Sequence, residues 1–137
     1  MGVSDYSGLT VGGFRVGPLI GRGGMGIVHR AEHVQTGTPA AIKFVLERES
    51  DRDYLAAFEE EARAVGRLSH PGVVALFDYG RLDAGDPYLV MELADRTLHG
   101  HAFGGWGELR FALLQLLDAL AHVHARRLVH MDLKPSN

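Results

Sequence analysis

The fold of this chain is decided by Gly21-Arg22-Gly23-Gly24-Met25-Gly26-Ile27-Val28. Its glycines form the pattern G-x-G-x-x-G, in which the backbone can approach a polyphosphate closely because no Cβ stands in the way. The same pattern occurs in loops that open a helix, but here it runs into the β-branched Ile27 and Val28. The turn Gln35-Thr36-Gly37-Thr38 and a second β-type run, Ala40 to Leu46, come next. The glycine-rich stretch is therefore predicted to lie at the bend of a β-hairpin.

The run from Ala40 to Leu46 predicts a strand with two chemically different faces. Alternation along a strand places Ala41, Lys43 and Val45 on one face, and Ile42 and Phe44 on the other. A lysine in a strand is ordinarily exposed to solvent. The flanks of Lys43 are apolar, however, and an ammonium group among apolar side chains needs an anion as its partner.

A helix is predicted over residues 54–68, with an apolar stripe at helical spacing. The stripe consists of Leu55, Phe58, Ala62, Val65 and Leu68. Glu61 borders this stripe and could supply the anion that Lys43 needs. The alternative is that Glu61 belongs, with Glu59 and Glu60, to a solvated acidic run.

The last eight residues, His130-Met131-Asp132-Leu133-Lys134-Pro135-Ser136-Asn137, concentrate polar chemistry after a long amphipathic helix at 108–126. Asp132, Lys134 and Asn137 suit the task of holding a hydroxyl nucleophile, a phosphoryl group and a metal ion together. A turn after a helix also collects Asp, Lys, Pro and Asn for purely conformational reasons. The two remaining β-type runs, 73–79 and 88–93, complete the predicted sheet.

Composition indicates one globular domain and excludes several classes of function. The 137 residues are 46% hydrophobic, carry a formal net charge of −3 and include no cysteine. Disulfides, thiolate metal sites and cysteine catalysis are therefore excluded. No basic run recommends nucleic acid as a partner, and no apolar run is long enough to span a bilayer. We expect a cytoplasmic protein, or the cytoplasmic piece of a longer one.

In this order the motifs resemble those of protein kinases, and most closely the eukaryotic-like serine/threonine kinases of bacteria. Gly21 to Val28 is similar to the family's G-x-G-x-x-G-x-V, and Ala40-Ala41-Ile42-Lys43 to its V-A-I-K. His130 to Asn137 resembles the catalytic loop H-R-D-L-K-P-x-N, with Met131 in the place of the arginine. Asp78-Tyr79-Gly80 imitates the family's magnesium motif but precedes the catalytic loop, so we read it as the end of a strand.

The resemblance implies an α+β fold, with a kinase-like N-lobe at 14–94 and only the first part of the helical C-lobe at 95–137. The N-lobe is expected to contain a five-stranded antiparallel sheet and one helix. Residues 1–13 are expected to form a leader that packs loosely against it.

The resemblance also implies ATP and Mg²⁺ as cofactors and assigns a role to each site residue. Asp132 would accept the proton of a serine or threonine hydroxyl on a protein substrate, Lys134 would steady the γ-phosphate, and Asn137 would bind magnesium. Lys43 and Glu61 would form an ion pair that aims the lysine at the phosphates. The implied nucleotide-binding residues are Ile20, Gly21, Arg22, Gly23, Gly24, Met25, Gly26, Val28, Ala41, Lys43, Met91, Glu92 and Ala94.

The implied function is ATP-dependent phosphoryl transfer to protein hydroxyls, with two alternatives. One is a pseudokinase-like fragment that binds a nucleotide or a partner without catalysis, and the other is a truncated product without a function of its own. Residues 1–137 lack the magnesium aspartate and the activation loop, so we expect them to be inactive alone. The apolar stripe of helix 108–126 is expected to be exposed and to favour self-association.

Overall fold

A computed structural model of the chain describes residues 6–23, 26–45 and 52–137. The chain divides into two compact units, and each is described by itself. The first unit comprises Met1–Arg67 and Ala75–Leu93, and the second comprises Leu68–Val74 and Ala94–Asn137.

The first unit contains an antiparallel sheet and one helix, as the sequence predicted. The strands are β1 (Thr10–Val11), β2 (Phe14–Gly23), β3 (Gly26–His33), β4 (Pro39–Phe44), β5 (Leu76–Arg81) and β6 (Pro87–Glu92). They lie in the order β1-β2-β3-β4-β6-β5, so the short strand β1 adds a sixth member to the five that were predicted. The helix α1 runs from Arg52 to Val65, starting and ending slightly earlier than predicted, and it packs against β5.

The core of this unit lies on one face of the sheet, because apolar residues alternate along the strands. Ile42 and Phe44 on β4 are completely buried in it, together with Ile27 on β3 and Val90 on β6. The two-face prediction for β4 is therefore confirmed. The sheet curls strongly, since Phe14 on β2 lies parallel to Phe77 on β5, four strands along the sheet, with 6.2 Å between ring centroids.

The N-terminal segment is part of this core from Tyr6 onward, and the prediction of a loosely packed leader is wrong for these described residues. The ring of Tyr6 is buried and stacks on Phe44, with 4.0 Å between centroids. Its hydroxyl donates a 2.8 Å hydrogen bond to Asp86 Oδ2. Because Tyr6 stacks on Phe44, it removes apolar surface of that ring from water.

The second unit consists of the segment 68–74 and the helix α2 (Trp106–Ala125) with its flanking loops. Gly72 packs against Ala119, the buried residue of α2, so closely that a Cβ on Gly72 would lie 3.0 Å from the Ala119 Cβ. His70 Nδ1 accepts a hydrogen bond from the Gly72 N–H, so the other ring nitrogen, Nε2, donates to Asp118 Oδ2 at 3.0 Å. These contacts attach the segment to the helix.

A second histidine, His122, packs beside His70 with 5.0 Å between ring centroids. Its Nδ1 lies 3.1 Å from the Nη1 of Arg126, which can only donate, so Nδ1 accepts and Nε2 carries the proton. That Nε2 is buried and has no hydrogen-bond partner among the residues that the structure describes. Desolvation of the ring, followed by the charge of Arg126, lowers the pKa of His122 from its usual value.

Both ends of α2 are closed by specific contacts. At the N-terminal end, the Glu108 carboxylate accepts hydrogen bonds from the Gly104 N–H and from His101 Nε2, and these bonds lower the pKa of Glu108. At the C-terminal end, the N–H of Leu128 bonds to Val123 O and the N–H of Arg127 bonds to His124 O. This is a Schellman motif, and Arg127 occupies its left-handed position with φ 61°.

The helix α2 exposes a large part of its apolar surface within this unit. Its exposed large apolar side chains are Trp106, Phe111, Leu113, Leu114 and Leu117. Leu113 and Leu117 belong to the apolar stripe predicted for this helix. The other members of that stripe are half-buried, namely Leu109, Leu116, Leu120 and Val123. None of the helices in the described part of the chain combines the length and apolar character needed to cross a membrane.

Candidate nucleotide-binding face and catalytic loop

The face of the sheet opposite the core brings five predicted site positions into register. Gly21 on β2 pairs with Val28 on β3, and Val28 pairs with Lys43 on β4. In the next row, Ala41 pairs with Met91 on β6. Paired Cα atoms in antiparallel strands lie about 4.5–5.5 Å apart, so these side chains form one continuous surface. Residues far apart in the sequence thus line one wall beneath the glycine-rich hairpin.

Lys43 places a positive charge on this surface. Its side chain is half-buried, between the buried Ala41 and Val45 on the same face of β4. Among the described residues, no ion pair or hydrogen bond involves Lys43. A partly desolvated ammonium group without a partner is a favourable position for an anion such as phosphate.

The predicted ion pair between Lys43 and Glu61 is not formed. Glu61 is exposed, and among the ion pairs of the described residues it is Glu59 that contacts the sheet, with Arg81 Nη2 on β5 at 3.3 Å. The physical reason is helical geometry, because residues two apart on a helix point in nearly opposite directions. Since Glu59 faces β5, Glu61 is turned toward solvent.

The glycine-rich hairpin is described on both sides of its tip. Gly23 pairs with Gly26, while Gly24 and Met25 lie outside the described residues. Arg22 and Gly23 are exposed, and Ile20 is 51% exposed. Gly26 has φ 150° and is packed directly against the backbone of Phe44 and Val45. The β3 side of the hairpin therefore packs against the end of β4.

The strand β6 ends in the segment predicted to meet adenine through its backbone. Glu92 is tied to Ala75 by two hydrogen bonds, from its own N–H to Ala75 O at 2.8 Å and from the Ala75 N–H to its Oε2 at 3.1 Å. Ala94 is exposed, and its backbone has no hydrogen bond within the described part of the chain. Its N–H and C=O are available to a ligand.

The second unit assembles the three polar residues of the C-terminal loop around one carboxylate. Lys134 Nζ lies 3.2 Å from Asp132 Oδ2. Asn137 Nδ2 donates to the Asp132 carbonyl oxygen at 2.6 Å and to Oδ2 at 3.4 Å. The N–H of Asp132 donates to His130 Nδ1 at 3.2 Å, which fixes the start of the loop.

These contacts set the charge of Asp132. The hydrogen bond from Lys134, that from Asn137 and the positive charge of Lys134 lower the pKa of the Asp132 carboxyl below its usual value. The group is therefore an ionised acceptor at neutral pH. It is suited to receive and orient a hydroxyl, while Lys134 places positive charge beside it.

Comparison with known proteins assigns the family. The model of the protein kinase domain matches residues 14–137. The chain belongs to the protein kinase family. Kinase relatives include Serine/threonine-protein kinase Pkn1 of Myxococcus xanthus, 39% identical over 95% of this chain, and PknH of Mycobacterium tuberculosis, 35% identical over 95%. The resemblance to bacterial eukaryotic-like kinases is thereby confirmed.

The structure supports the same assignment. The crystal structure of the Mycobacterium tuberculosis PknI kinase domain matches 96% of this chain with a TM-score of 0.80 and 27% identity. The kinase-like fold prediction is confirmed. The chain spans 19% of Pkn1, 22% of PknH and 55% of the PknI kinase domain chain.

Protein kinases use ATP with Mg²⁺, and the residues present fit the two groups unequally. Lys43, which has no ion-pair partner among the described residues, fits a polyphosphate. For the metal, the amide oxygen of Asn137 is left available because its Nδ2 is bonded to Asp132. No group of three or more His, Asp or Glu side chains suited to a metal ion occurs in the described ranges. Asn137 is thus the residue of the C-terminal loop that would hold the metal.

Met131, which stands in the place of the family's arginine, is 91% exposed and has a positive φ of 62°. Sequence reasoning missed one buried polar residue near the hairpin, His29. The signal was present, since His29 alternates with the apolar Ile27 and Ala31 on the core face of β3.

Proposed function

We propose that this chain is the nucleotide-binding and catalytic-loop part of a serine/threonine protein kinase that transfers phosphoryl groups from ATP to protein hydroxyls. The observation that carries the proposal is the ionised Asp132, held by Lys134 at 3.2 Å and by Asn137 at 2.6 Å from its carbonyl oxygen. In this scheme the kinase domain spans 14–137, with an N-lobe at 14–94 and the start of a C-lobe at 95–137. A cytoplasmic location accompanies this function.

Each residue of the C-terminal loop has one task in the proposed reaction. Asp132 accepts the hydrogen bond of the substrate hydroxyl and orients its lone pair toward the phosphoryl group. Lys134 balances the negative charge that develops on the transferring group. Asn137 contributes an amide oxygen to Mg²⁺, which neutralises phosphate charge when it is bound.

The nucleotide is proposed to bind on the face of the sheet that carries Lys43. Ile20, Val28 and Ala41 wall the adenine, Met91 limits the depth of the pocket, and the backbones of Glu92 and Ala94 meet the base. Lys43 and the glycines of the hairpin bind the phosphates. Because Lys43 has no protein partner in the described residues, the bound phosphate is its counter-charge.

The absent Lys43–Glu61 contact favours a second candidate, nucleotide binding without transfer. In that case Lys43 alone would bind the phosphates, and Asp132 would have no substrate to act on. Rotation of α1 that exchanged Glu59 for Glu61 at the sheet would restore the first candidate. A measurement of ATP turnover, rather than of nucleotide affinity, distinguishes these two candidate functions.

The binding proposal is tested by calorimetric titration of the 137-residue chain with a non-hydrolysable ATP analogue and Mg²⁺. Lys43→Met is expected to weaken binding by at least about tenfold, since it removes a charge-assisted bond to phosphate. Arg15→Met is the matched control, because it removes an exposed cation from β2 near the opposite end of the strand. Equal affinities for the two variants would contradict the proposed site.

Catalytic competence requires a separate measurement. ATP turnover by the 137-residue chain is compared with that of Asp132→Asn, which keeps the shape of the side chain and removes its charge. We expect no turnover above the Asp132→Asn background, because the chain offers magnesium few ligands. Turnover that depends on Asp132 would show that residues 1–137 suffice for phosphoryl transfer.

The exposed face of α2 is proposed to mediate self-association of the isolated chain. Trp106 is 70% exposed, Phe111 63% and Leu117 59%, so a substantial apolar surface meets water. Light scattering is expected to show a mass that rises with concentration, and Leu117→Gln together with Phe111→Gln is expected to lower it. A concentration-independent monomer would contradict this proposal.

A further inference from the structure

The strand that leads into the glycine-rich hairpin is irregular at one place. Between β2 and β3, Val16 pairs with Ala31, Leu19 with His29, and Gly21 with Val28. The strand β2 therefore carries two extra residues relative to β3 over this stretch, as two successive bulges. Gly17 and Pro18 have no Cα partner in the ladder, and Pro18 has no N–H to donate.

The carbonyl oxygen of Gly17 is held at the first bulge by side chains instead of by a regular ladder position. His29 Nδ1 lies 2.9 Å from it, and Ser7 Oγ donates to it at 3.2 Å. Because a carbonyl oxygen can only accept, Nδ1 of His29 must carry the proton. The bond thus links the two strands that flank the glycine-rich turn, β3 through His29 and β2 through Gly17.

His29 is the one buried polar or charged residue in the part of the chain that the structure describes, at 2% exposure. Its ring lies edge-on beside the stacked pair of Tyr6 and Phe44, at 6.2 Å from Tyr6 and 5.9 Å from Phe44 between centroids. A buried ring has few alternative orientations, which favours the observed bond from its donor to Gly17. An aliphatic or aromatic residue would fill the same space without desolvating a polar group.

We propose that His29 is a positioning residue for nucleotide binding, because it fixes the register of the glycine-rich hairpin. The pairing of Gly21 with Val28 depends on where the bulge lies, and a one-residue slip of β2 would turn each of its side chains to the other face. With the bulge held at Gly17, Gly21 stays in the row that contains Val28 and Lys43. This inference rests on the proposed nucleotide site.

The test uses the 137-residue chain and three variants. His29→Phe keeps a ring beside Tyr6 and Phe44 but removes the donor, whereas His29→Asn retains an N–H donor on a shorter side chain. His33→Phe is the control, because His33 lies on the same strand, packs on Phe14 and does not contact Gly17. Amide hydrogen exchange at Gly21 and Arg22 reports the register, and titration with the ATP analogue reports the affinity.

We expect His29→Phe to speed exchange at Gly21 and Arg22 and to weaken nucleotide binding, each by about tenfold, as the loss of one buried hydrogen bond allows. His29→Asn should stay close to the parent chain in both measurements even if its melting temperature falls. His33→Phe should leave both unchanged. A structural role confined to core packing predicts the reverse order, with Phe better tolerated than Asn.

Unchanged exchange in His29→Phe, or an Asn variant as impaired as the Phe variant, would overturn the inference. If His29→Phe does not fold, loss of exchange protection at Gly21 in His29→Asn would overturn it instead, and retained protection would support it. If the parent chain binds no nucleotide, the proposed function fails. Exchange at Gly21 still decides the role of His29 in setting the register.

Discussion

Replacing Gly26 by alanine should damage the sheet severely, although the change adds only one methyl group. A Cβ on Gly26 would lie 3.1 Å from the carbonyl carbon of Phe44 and 3.2 Å from the Cα of Val45, and closer still to the Phe44 carbonyl oxygen. All of these atoms belong to backbone, so no side-chain rotation can make room. Gly26 also has φ 150°, which L-residues rarely adopt.

The magnitude follows from these two effects. Inserting a methyl group into a well-packed site costs about 1–3 kcal/mol, and an unfavourable positive φ costs about 1–2 kcal/mol. Together they predict roughly 2–5 kcal/mol of destabilisation, against the roughly 5–15 kcal/mol by which domains are stable. For a unit of this size, the melting temperature should fall by at least about 8 °C.

Gly23→Ala is the matched control, because Gly23 pairs with Gly26 across the hairpin but has no atom within 4 Å of its would-be Cβ. Thermal unfolding followed by circular dichroism is measured for the parent and both variants at one protein concentration. Gly23→Ala should stay within about 0.5 kcal/mol of the parent. If the two variants had the same melting temperature, contact between β3 and the β4 backbone could not be the reason for glycine at position 26.

Three further predictions concern α2. The pKa of His122 is lowered, so the folded state binds its proton less readily than the unfolded state, and stability should fall as pH drops below about 6.5. In His122→Leu, the melting temperature should depend less on pH between 7.5 and 5.5. An unchanged pH dependence would contradict the buried Nε2. Arg127→Gly should stabilise the chain by about 1 kcal/mol in urea unfolding, and Arg126→Gly should not, because Arg127 alone has positive φ there. The pKa of Glu108 is lowered by the Gly104 N–H, so the contribution of Glu108 to stability should be lost as pH falls below about 4.5. Glu108→Gln should remove this acid-induced loss of stability, measured by circular dichroism. If the loss persisted in the variant, another group would be its cause.

The parts of the fold that the sequence predicted are those governed by short-range geometry. Alternation along β4 correctly separated Ala41 and Lys43 from Ile42 and Phe44, because the side-chain period of a strand is set by the backbone. The polar cluster of the C-terminal loop was predicted for a similar reason, since Asp132 and Asn137 are only five residues apart. Its contacts form within one turn-rich segment.

The errors concern relations between distant parts of the chain. Tyr6 contacts Asp86 across 80 positions, and its local sequence, small and polar, carries no sign of a buried ring. Helical periodicity located the inward stripe of α1, but it did not determine which glutamate would reach the sheet. That choice depends on the rotation of α1 about its axis relative to β5. The ion pair between Glu59 and Arg81 shows this rotation, whereas the helical period of the sequence does not determine it.

The two halves of the proposed chemistry therefore differ in how they are maintained. The contacts of Asp132 with Lys134 and Asn137 are local and exposed, so they require little from the rest of the fold and can re-form quickly after local opening. The nucleotide face depends instead on register across four strands, from Gly21 through to Met91. A substitution that disturbs the sheet should consequently weaken nucleotide binding while it leaves the geometry around Asp132 intact. Loss of nucleotide affinity is thus the more sensitive sign of damage to this chain.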